Sequence, residues 1–347
     1  MKPIAILITD VHIDKDNIPE TLSVMRQSID LAIHEGTDRI FFLGDMFTTR
    51  TGQGLQVLLA QQTWLREAEE RGVSIYAIAG NHDKTDQDAE ESYLDVVFKG
   101  FSTHKVFRKE TTVEIDGSLC CFLPYFKEDG SYPKRLSNLV SRAEKSKLKR
   151  RFLFTHIAVD GVKNNDGSLV ENSLKEDQFD YFNSVFVGHY HNRSQIGDNI
   201  YYIGSPRPKD FGEDNEKGFV VLYPDDHEHR LASFKKFIKI NIDLNKDKGS
   251  IEKIVEQNSN TEDRVRFIIT GSEEELASIP SKELADVGIE VKKEPARLAK
   301  SMKAAENSEF ISFTQKSIQI AFLEFCKDNN ISGTRRTLGL NLLKGNV

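Results

Sequence analysis

The chain has 347 residues, of which 38% are hydrophobic, and its formal net charge is −7. This length and apolar content predict a globular protein with more than one domain and exclude a disordered chain. No stretch approaches the roughly 18 uncharged apolar residues of a membrane span. The first apolar run leads straight into charged residues, so we expect neither a membrane protein nor an export signal.

The first hundred residues alternate between strand and helix. Strands are predicted over 4–9, 39–43 and 74–79, and helices over 20–35 and 55–71. Continuous apolar strands that alternate with helices predict a sheet that is covered on both faces. Functional groups of such a sheet collect at the carboxyl ends of its strands.

From about residue 104 the pattern changes to short strands and tight turns. Strands are predicted over 105–107, 111–115, 119–123, 151–155, 184–187, 194–196, 200–203 and 219–222, with a basic helix at about 133–147. We expect these strands to form a second sheet packed on the first. The polar stretch 225–236 is predicted to be a loop and a domain boundary.

The remainder of the chain predicts a small module and a tail. Residues 237–293 read as strand 238–242, helix 251–257, strand 265–269, helix 273–279 and strand 289–291. A charged linker at about 294–306 precedes a phenylalanine-rich helix over 310–326, which must be buried against its own chain or a partner. The predicted domains are therefore 1–235, 236–295 and 296–347.

Cysteine content and charge bear on the compartment and the partners. Cys120 and Cys121 are adjacent and Cys326 is distant, which suits neither a disulfide framework nor a thiolate zinc site. We therefore expect a reducing cytoplasm. Net negative charge disfavours a nucleic-acid partner, but two bound divalent cations would offset it where it matters.

Five separate segments each follow an apolar run and contain metal-ligand side chains. They are Asp10-Val11-His12, Gly44-Asp45, Gly80-Asn81-His82-Asp83, the run that ends at His156, and Gly188-His189-Tyr190-His191. Two adjacent divalent ions need about this many mixed ligands, and one carboxylate usually bridges ions that lie roughly 3.5–4 Å apart. The alternative, scattered turn residues and core histidines, suits a single histidine better than five ordered segments.

Within this set we assign distinct roles. Asp45 lies in a tight turn and is the natural bridge, while the spacing of Asp10 and His12 lets both reach one ion. The mixture of imidazole, carboxylate and amide oxygen suits Mn²⁺, Fe²⁺ or Zn²⁺ better than Mg²⁺ alone. His82 is predicted to stabilise the phosphate or protonate the leaving oxygen, and Asp83 to fix the turn.

In this order, the five motifs resemble the pattern of calcineurin-like metallophosphoesterases. Within that superfamily the chain resembles SbcD-type (meiotic-recombination-type) DNA repair and recombination nucleases, including their small phage forms. Asp45-Met46-Phe47, residues 202–206, Phe211-Gly212-Glu213 and Lys217-Gly218 support this branch. The resemblance implies an α/β fold with a four-layer αββα sandwich, a small α+β DNA-capping domain and a C-terminal helical tail.

The resemblance also implies ligands, a metal and partners. One ion would be held by Asp10, His12, Asp45 and His191, and the other by Asp45, Asn81, His156 and His189, while His82 would assist the leaving 3′ oxygen. The expected metal is Mn²⁺, with Fe²⁺, Zn²⁺ and Mg²⁺ as alternatives. The expected partners are DNA, an SbcC-type SMC-like ATPase gripped by the tail, and a second copy of the chain.

One position departs from the family. Related enzymes often carry His or Asp three residues after the bridging Asp, whereas this chain has Thr48. The group that orients His82 is therefore an open question.

Three functions remain to be separated. The leading one is a metal-dependent DNA exonuclease or endonuclease that works with an ATPase, and the alternative is hydrolysis of small phosphodiesters or phosphoproteins. Protein phosphatases usually show Gly-Asp-x-x-Asp-Arg-Gly and Gly-Asn-His-Glu, which this chain lacks. The third is a non-catalytic scaffold on DNA ends.

DNA contacts are expected from basic residues beside the ligand loops. These are Arg50, Lys84, Arg193 and Arg207. The stretch 134–151 holds eight Lys and Arg against one acid. It is either a phosphate-binding patch or the solvated face of a helix.

Overall fold

A computed structural model describes residues 2–164, 168–247, 251–259 and 261–295, together with 322, 323, 325, 326 and 336. Contacts divide the chain into two compact units, Met1–Lys239 with Asn260–Arg266, and Ile240–Ser259 with Phe267–Val347. Most of the predicted linker and of the tail helix lies outside the described residues. Within the described part, no helix has the length and apolarity needed to cross a membrane.

The elements follow the predicted alternation. The strands are β1 (Ala5–Ile8), β2 (Arg39–Phe42), β3 (Ser74–Ile78), β4 (Lys105–Phe107), β5 (Thr111–Ile115), β6 (Ser118–Leu123), β7 (Arg151–His156), β8 (Ser184–Gly188), β9 (Ser194–Ile196), β10 (Ile200–Tyr202), β11 (Gly218–Leu222), β12 (His227–Leu231), β13 (Phe237–Asp243), β14 (Arg264–Gly271) and β15 (Ile289–Pro295). The α-helices are α1 (Ile18–Glu35), α2 (Leu55–Glu70), α3 (Leu94–Val97), α4 (Tyr132–Ala143), α5 (Leu244–Asp247), α6 (Ile251–Asn258), α7 (Glu273–Ala277) and α8 (Ser281–Asp286). Short 3₁₀ turns lie at Asn81–Asp83 and Glu176–Phe179.

The first sheet has the order β12-β11-β1-β2-β3-β4. β1 to β4 are parallel, and β11 and β12 continue the sheet in antiparallel fashion. Helices α1 and α2 cover one face through buried side chains such as Met25, Ile29 and Trp64. Because the parallel strands end at one edge, the loops after β1, β2 and β3 meet there.

The loop predicted over 225–236 is wrong, because β12 occupies His227–Leu231 and pairs with β11. The strand contains His227, Glu228, His229 and Arg230, which give it a polar sequence. It is an edge strand, and charged side chains are tolerated there because one side of the strand faces solvent. The prediction of a loop failed because it was based on the polar composition of this segment.

The second sheet has the order β5-β6-β7-β8-β10-β9. Its central strands are parallel, with β5 and β9 antiparallel at the edges. Helix α4 covers its outer face through Leu136 and Leu139, and an apolar layer with Phe41, Phe122 and Phe154 separates the two sheets. The predicted four-layer αββα sandwich is confirmed.

Strands β13, β14 and β15 form a small sheet in this order. Residues 240–243 and 267–271 of the first two strands, and all of β15, belong to the second compact unit. Leu244, Leu276 and Leu284 are buried within the second unit. The helix predicted over 273–279 is shorter and is followed by a second helix, α8. Proline at position 280 disfavours helical backbone in the residue before it, which explains the break.

Candidate metal centre

The carboxyl ends of five strands bring the predicted ligands to one place. Asp10 follows β1, Asp45 follows β2, Asn81 follows β3, His156 ends β7, and His189 follows β8. Two groups result, one of Asp10, His12 and His191 and the other of Asp45, His156 and His189. In each group the ligand atoms lie within 4.8 Å of one another.

The first group brings two imidazoles and a carboxylate together. His12 Nδ1–H faces the Phe47 carbonyl at 3.1 Å, and His191 Nδ1–H faces Glu213 Oε1 at 2.7 Å. Each ring therefore directs its Nε2 atom inward, and the two Nε2 atoms are 3.0 Å apart. Asp10 Oδ1 is buried with no hydrogen-bond partner among the described residues. These residues fit a cation, because two imidazole nitrogens and a carboxylate are metal-ligand atoms and a cation would give Asp10 Oδ1 a partner.

The second group is built around the Asn81 amide. Asn81 Oδ1 lies 3.2 Å from His156 Nε2 and 3.1 Å from His189 Nδ1. Turning the amide over would let its nitrogen donate to these atoms and its oxygen accept from Arg50 Nη2. The inward oxygen is the orientation that supplies a metal ligand, and His156 donates Nδ1–H outward to the Leu43 carbonyl at 2.7 Å.

Asp45 belongs to the second group and also faces the first. Its Oδ2 atom is 3.6 Å from His12 Nε2 and 3.4 Å from His156 Nε2. Burial acts to lower the pKa of His156, but the carboxylates of Asp45 and Asp10 raise it to about 9. The carboxylates therefore favour positive charge next to Asp45.

Asp83 holds the two ligand turns from outside. Its carboxylate is fully buried and accepts the backbone N–H groups of Asp45 at 2.9 Å, Gly80 at 2.8 Å, Met46 at 2.8 Å and Phe47 at 3.3 Å. Four buried donors converge on one side chain, so the turn after β2 and the turn after β3 are tied together.

The backbone of the site adopts conformations that L-residues rarely occupy. Asp10, His12, Asp45 and His189 have φ values of 52°, 43°, 55° and 92°. Such conformations cost about 1–3 kcal/mol each and persist where the surroundings over-determine them, commonly at functional sites. Gly44, with φ of 97°, has no room for a Cβ, which would lie 2.6 Å from a nitrogen of the His156 ring.

His82 is half-buried beside the first group. Its Nδ1 atom is 2.7 Å from the Thr48 carbonyl, and its backbone N–H donates to Asp45 Oδ1 at 2.8 Å. Its ring packs edge-on against that of His12, with centroids 4.9 Å apart. Thr48 therefore orients His82 through the backbone, and its hydroxyl instead donates to the His12 carbonyl at 2.7 Å.

Glu213 and Lys217 belong to the site although sequence reasoning gave them no role. The Glu213 carboxylate meets His191 Nδ1, and Lys217 Nζ lies 3.1 Å from Glu213 Oε2. Burial acts to raise the pKa of Glu213, but His191 and Lys217 lower it to about 2. The family-like stretch around 211–218 was the only signal for this pair, and it did not indicate contact with His191.

Two of the four expected DNA contacts are wrong. Lys84 is buried, with Nζ donating to the carbonyls of Ala89 at 2.9 Å and Tyr125 at 2.6 Å. Arg207 is buried and donates to Thr21 Oγ1 at 3.0 Å. Neither presents its charge to a ligand, whereas Arg50 and Arg193 are exposed.

The basic stretch is partly neutralised by neighbouring acids. Arg135 and Arg142 pair with Glu110 at 2.9 and 3.4 Å, and Arg150 pairs with Asp225 at 2.7 Å. These pairs favour the solvated helix face over a phosphate-binding patch.

The family model for calcineurin-like phosphoesterases matches residues 5–193, which is more than half of the chain. This chain belongs to the calcineurin-like phosphoesterase family. The match contains every predicted ligand from Asp10 to His191. Together with the two ligand groups, membership supports an enzyme that hydrolyses phosphoesters with two divalent ions.

Individual relatives are more distant. "Exonuclease subunit 1" of Enterobacteria phage T4 is 24% identical over 207 residues, which cover 57% of this chain and 56% of that protein. The chain thus spans little more than half the length of this curated relative. A solved dimetal phosphatase from Danio rerio gives a TM-score of 0.45 at 12% identity, covering 64% of this chain and 93% of the phosphatase. The nuclease MPE of Pseudomonas putida gives 0.29 at 14% identity, covering 57% and 67%.

Proposed function

We propose that this chain is a two-metal-dependent DNA exonuclease or endonuclease subunit that processes DNA ends in repair or recombination, within a bacterial or phage-infected cytoplasm. The observation that supports it best is the pair of adjacent ligand groups, with Asp45 of the second group facing His12 of the first and His82 held beside them. The name of the phage T4 relative, an exonuclease subunit, supports a nucleic acid as the substrate.

Each ligand has a proposed place. Asp10, His12 and His191 would hold one ion, Asn81, His156 and His189 the other, and Asp45 both. When bound, two divalent ions polarise the phosphoryl oxygens and lower the pKa of water, and Mn²⁺ suits this donor set. The protein contributes ligand atoms fixed by outward hydrogen bonds, so little reorganisation is needed during reaction.

His82 is the proposed general acid. Because the Thr48 carbonyl accepts from Nδ1–H, the proton that moves is the one on Nε2. As water adds to phosphorus and gives one proton to the solvent, the P–O3′ bond breaks, and protonated Nε2 would deliver its proton to the leaving 3′ oxygen. His82 is not within either ligand group, so its role can be separated from metal binding.

The DNA backbone is proposed to lie in an open cleft beside the second group. The cleft has a volume of about 490 Å³ and is lined by Arg50, Thr51, Thr85, Asp86, Gln87 and Lys127. Arg50 Nη2 lies on the outer side of the Asn81 amide, so its charge is next to the proposed ligands. Phosphate contacts of this kind position the strand without reading its sequence.

The test compares linear duplex DNA with bis-p-nitrophenyl phosphate in Mn²⁺, using Asp45→Asn, His82→Ala and the exposed His34→Ala as a matched control. Asp45→Asn should abolish both activities. His82→Ala should lower kcat about 10²–10⁴-fold while it still binds metal. Hydrolysis of the small ester without DNA degradation would favour the small-phosphodiester alternative, and full activity of Asp45→Asn would refute the site.

An SbcC-type SMC-like ATPase is the proposed partner, bound through the C-terminal tail. The phage relative's description as a subunit supports it. Deleting residues 296–347 should abolish co-purification with a co-expressed SbcC-type ATPase, while Mn²⁺-dependent hydrolysis of the small ester is retained. Co-purification that survives the deletion would contradict the proposed role of the tail.

A homodimer is proposed through the early helices. Leu55 and Leu59, one turn apart on α2, are 71% and 51% exposed, which is unusual for leucine. Leu59→Glu should convert a dimer to a monomer in sedimentation equilibrium, whereas Gln56→Glu on the same helix should not. A monomeric wild-type protein at tens of micromolar would contradict the proposal.

A further inference from the structure

Glu213 and Lys217 form a buried ion pair behind His191. Both side chains are 0% exposed. Glu213 Oε1 accepts from His191 Nδ1 at 2.7 Å, and Glu213 Oε2 lies 3.1 Å from Lys217 Nζ. An isolated buried carboxylate would be costly, so the lysine allows Glu213 to remain ionised behind the ring.

Lys217 is fully used by this arrangement. Its ammonium group donates to the His191 carbonyl at 2.6 Å and to Asn192 Oδ1 at 2.7 Å, in addition to pairing with Glu213. Three donor protons therefore meet three acceptors. Lys217 contacts the backbone carbonyl of His191 directly and contacts the His191 ring through Glu213. One side chain therefore acts on both the position of His191 and the orientation of its ring.

His191 differs from the other ring ligands in this respect. His12 and His156 direct their outer Nδ1–H groups to neutral carbonyls, those of Phe47 and Leu43. Within the described ranges, His191 is the one whose outer nitrogen meets a carboxylate. A charge-assisted hydrogen bond is about twice as strong as a neutral one, and it makes the opposite ring nitrogen a better ligand.

We propose that Glu213, held by Lys217, is a positioning residue that fixes the tautomer and orientation of His191 and thereby sets the affinity of the metal position formed by Asp10, His12 and His191. The inference rests on the proposed role of His191 as a ligand and does not depend on DNA as the substrate. Loss of an outer hydrogen-bond partner typically lowers metal affinity about 10–100-fold.

The test measures Mn²⁺ binding by calorimetry in Glu213→Gln, in His191→Gln, and in Asp214→Asn as a matched control. Asp214 is adjacent and partly exposed but contacts Lys217 only at 4.0 Å. Glu213→Gln should weaken one of two sites about 10–100-fold, and Asp214→Asn should leave both unchanged. Excess Mn²⁺ should restore turnover of bis-p-nitrophenyl phosphate by Glu213→Gln, which a folding defect would not allow.

A spectroscopic measurement separates positioning from general destabilisation. In zinc-loaded protein labelled with ¹⁵N-histidine, the ring resonances of His191 are identified as those that disappear in His191→Gln. In the wild-type protein they should show the Nδ1–H tautomer, and in Glu213→Gln they should shift. The double variant Glu213→Gln/Lys217→Met, which removes both charges of this pair, should show the same loss of affinity. If His191→Gln weakens metal binding but Glu213→Gln changes neither affinity nor tautomer, the inference is overturned; if His191→Gln has no effect, the ligand assignment fails with it.

Discussion

Replacing Asp83 with asparagine tests how the ligand turns are held. The Asp83 carboxylate accepts four backbone N–H groups, two on each oxygen. Asparagine has the same shape but only one oxygen, so its amide nitrogen would face two N–H donors. At least two buried donors would lose their acceptor, which costs about 1–3 kcal/mol each.

The expected loss is therefore about 2–6 kcal/mol of unfolding free energy, a large part of the roughly 5–15 kcal/mol of a typical protein. Guanidinium unfolding of the metal-free protein, followed by fluorescence of the single tryptophan, Trp64, measures it in the unit that contains the site. Mn²⁺ affinity should fall as well, because the turns that bear Asp45 and Asn81 are no longer joined.

The matched control is Asp86→Asn, which removes the same charge from an exposed carboxylate that accepts one N–H group, from Asp88 at 3.0 Å. It should change the unfolding free energy by less than about 0.5 kcal/mol. If Asp83→Asn were as mild as Asp86→Asn, the four hydrogen bonds could not be what joins the two turns.

Three further predictions concern single positions. Gly44→Ala should lower the free energy of unfolding by about 2–4 kcal/mol and weaken Mn²⁺ binding, since φ is 97° and the new Cβ would meet the His156 ring. Gly52→Ala, where space is open, should do neither. Equal Mn²⁺ affinity of the two variants in calorimetry would contradict this. Thr48→Ala should leave kcat within about twofold, because the backbone carbonyl holds His82; a loss comparable to that of His82→Ala would refute it. Burial and nearby Arg193 lower the pKa of His229 from 6.5 to about 4. The unfolded chain therefore binds the proton first, and the free energy of unfolding should fall as the pH drops from 6.5 to 4. In urea unfolding, His229→Gln should reduce this fall by about 1–2 kcal/mol after allowance for solvent screening, and an unchanged pH dependence would rule this out.

The convergence of the predicted metal ligands could be inferred from the sequence, because they lie at strand ends and parallel strands of one sheet end at the same edge. The groups that hold these side chains in place could not be inferred in this way. Glu213 is 22 residues from His191 and contacts it through a loop with no local pattern. The group that orients His82 is a backbone carbonyl, which every residue has, so the identity of Thr48 carries no information about it. Strand β12 escaped prediction for a related reason, since an edge strand need not be apolar.

The two ligand groups are fixed from outside by different means. Asp83 joins the turns of Asp45 and Asn81 through backbone hydrogen bonds, whereas Glu213, paired with Lys217, fixes the ring of His191 through a side-chain hydrogen bond. Asp10 Oδ1, buried without a hydrogen-bond partner among the described residues, and the ligand residues at positive φ both cost folding free energy. The fold holds the ligands in place before any ion binds. Bound ions would then offset part of the folding cost, because they stabilise the folded state by RT ln(1 + [L]/Kd). With this preorganisation, the chain determines where the ligand atoms lie, and the bound ions would determine how the site reacts.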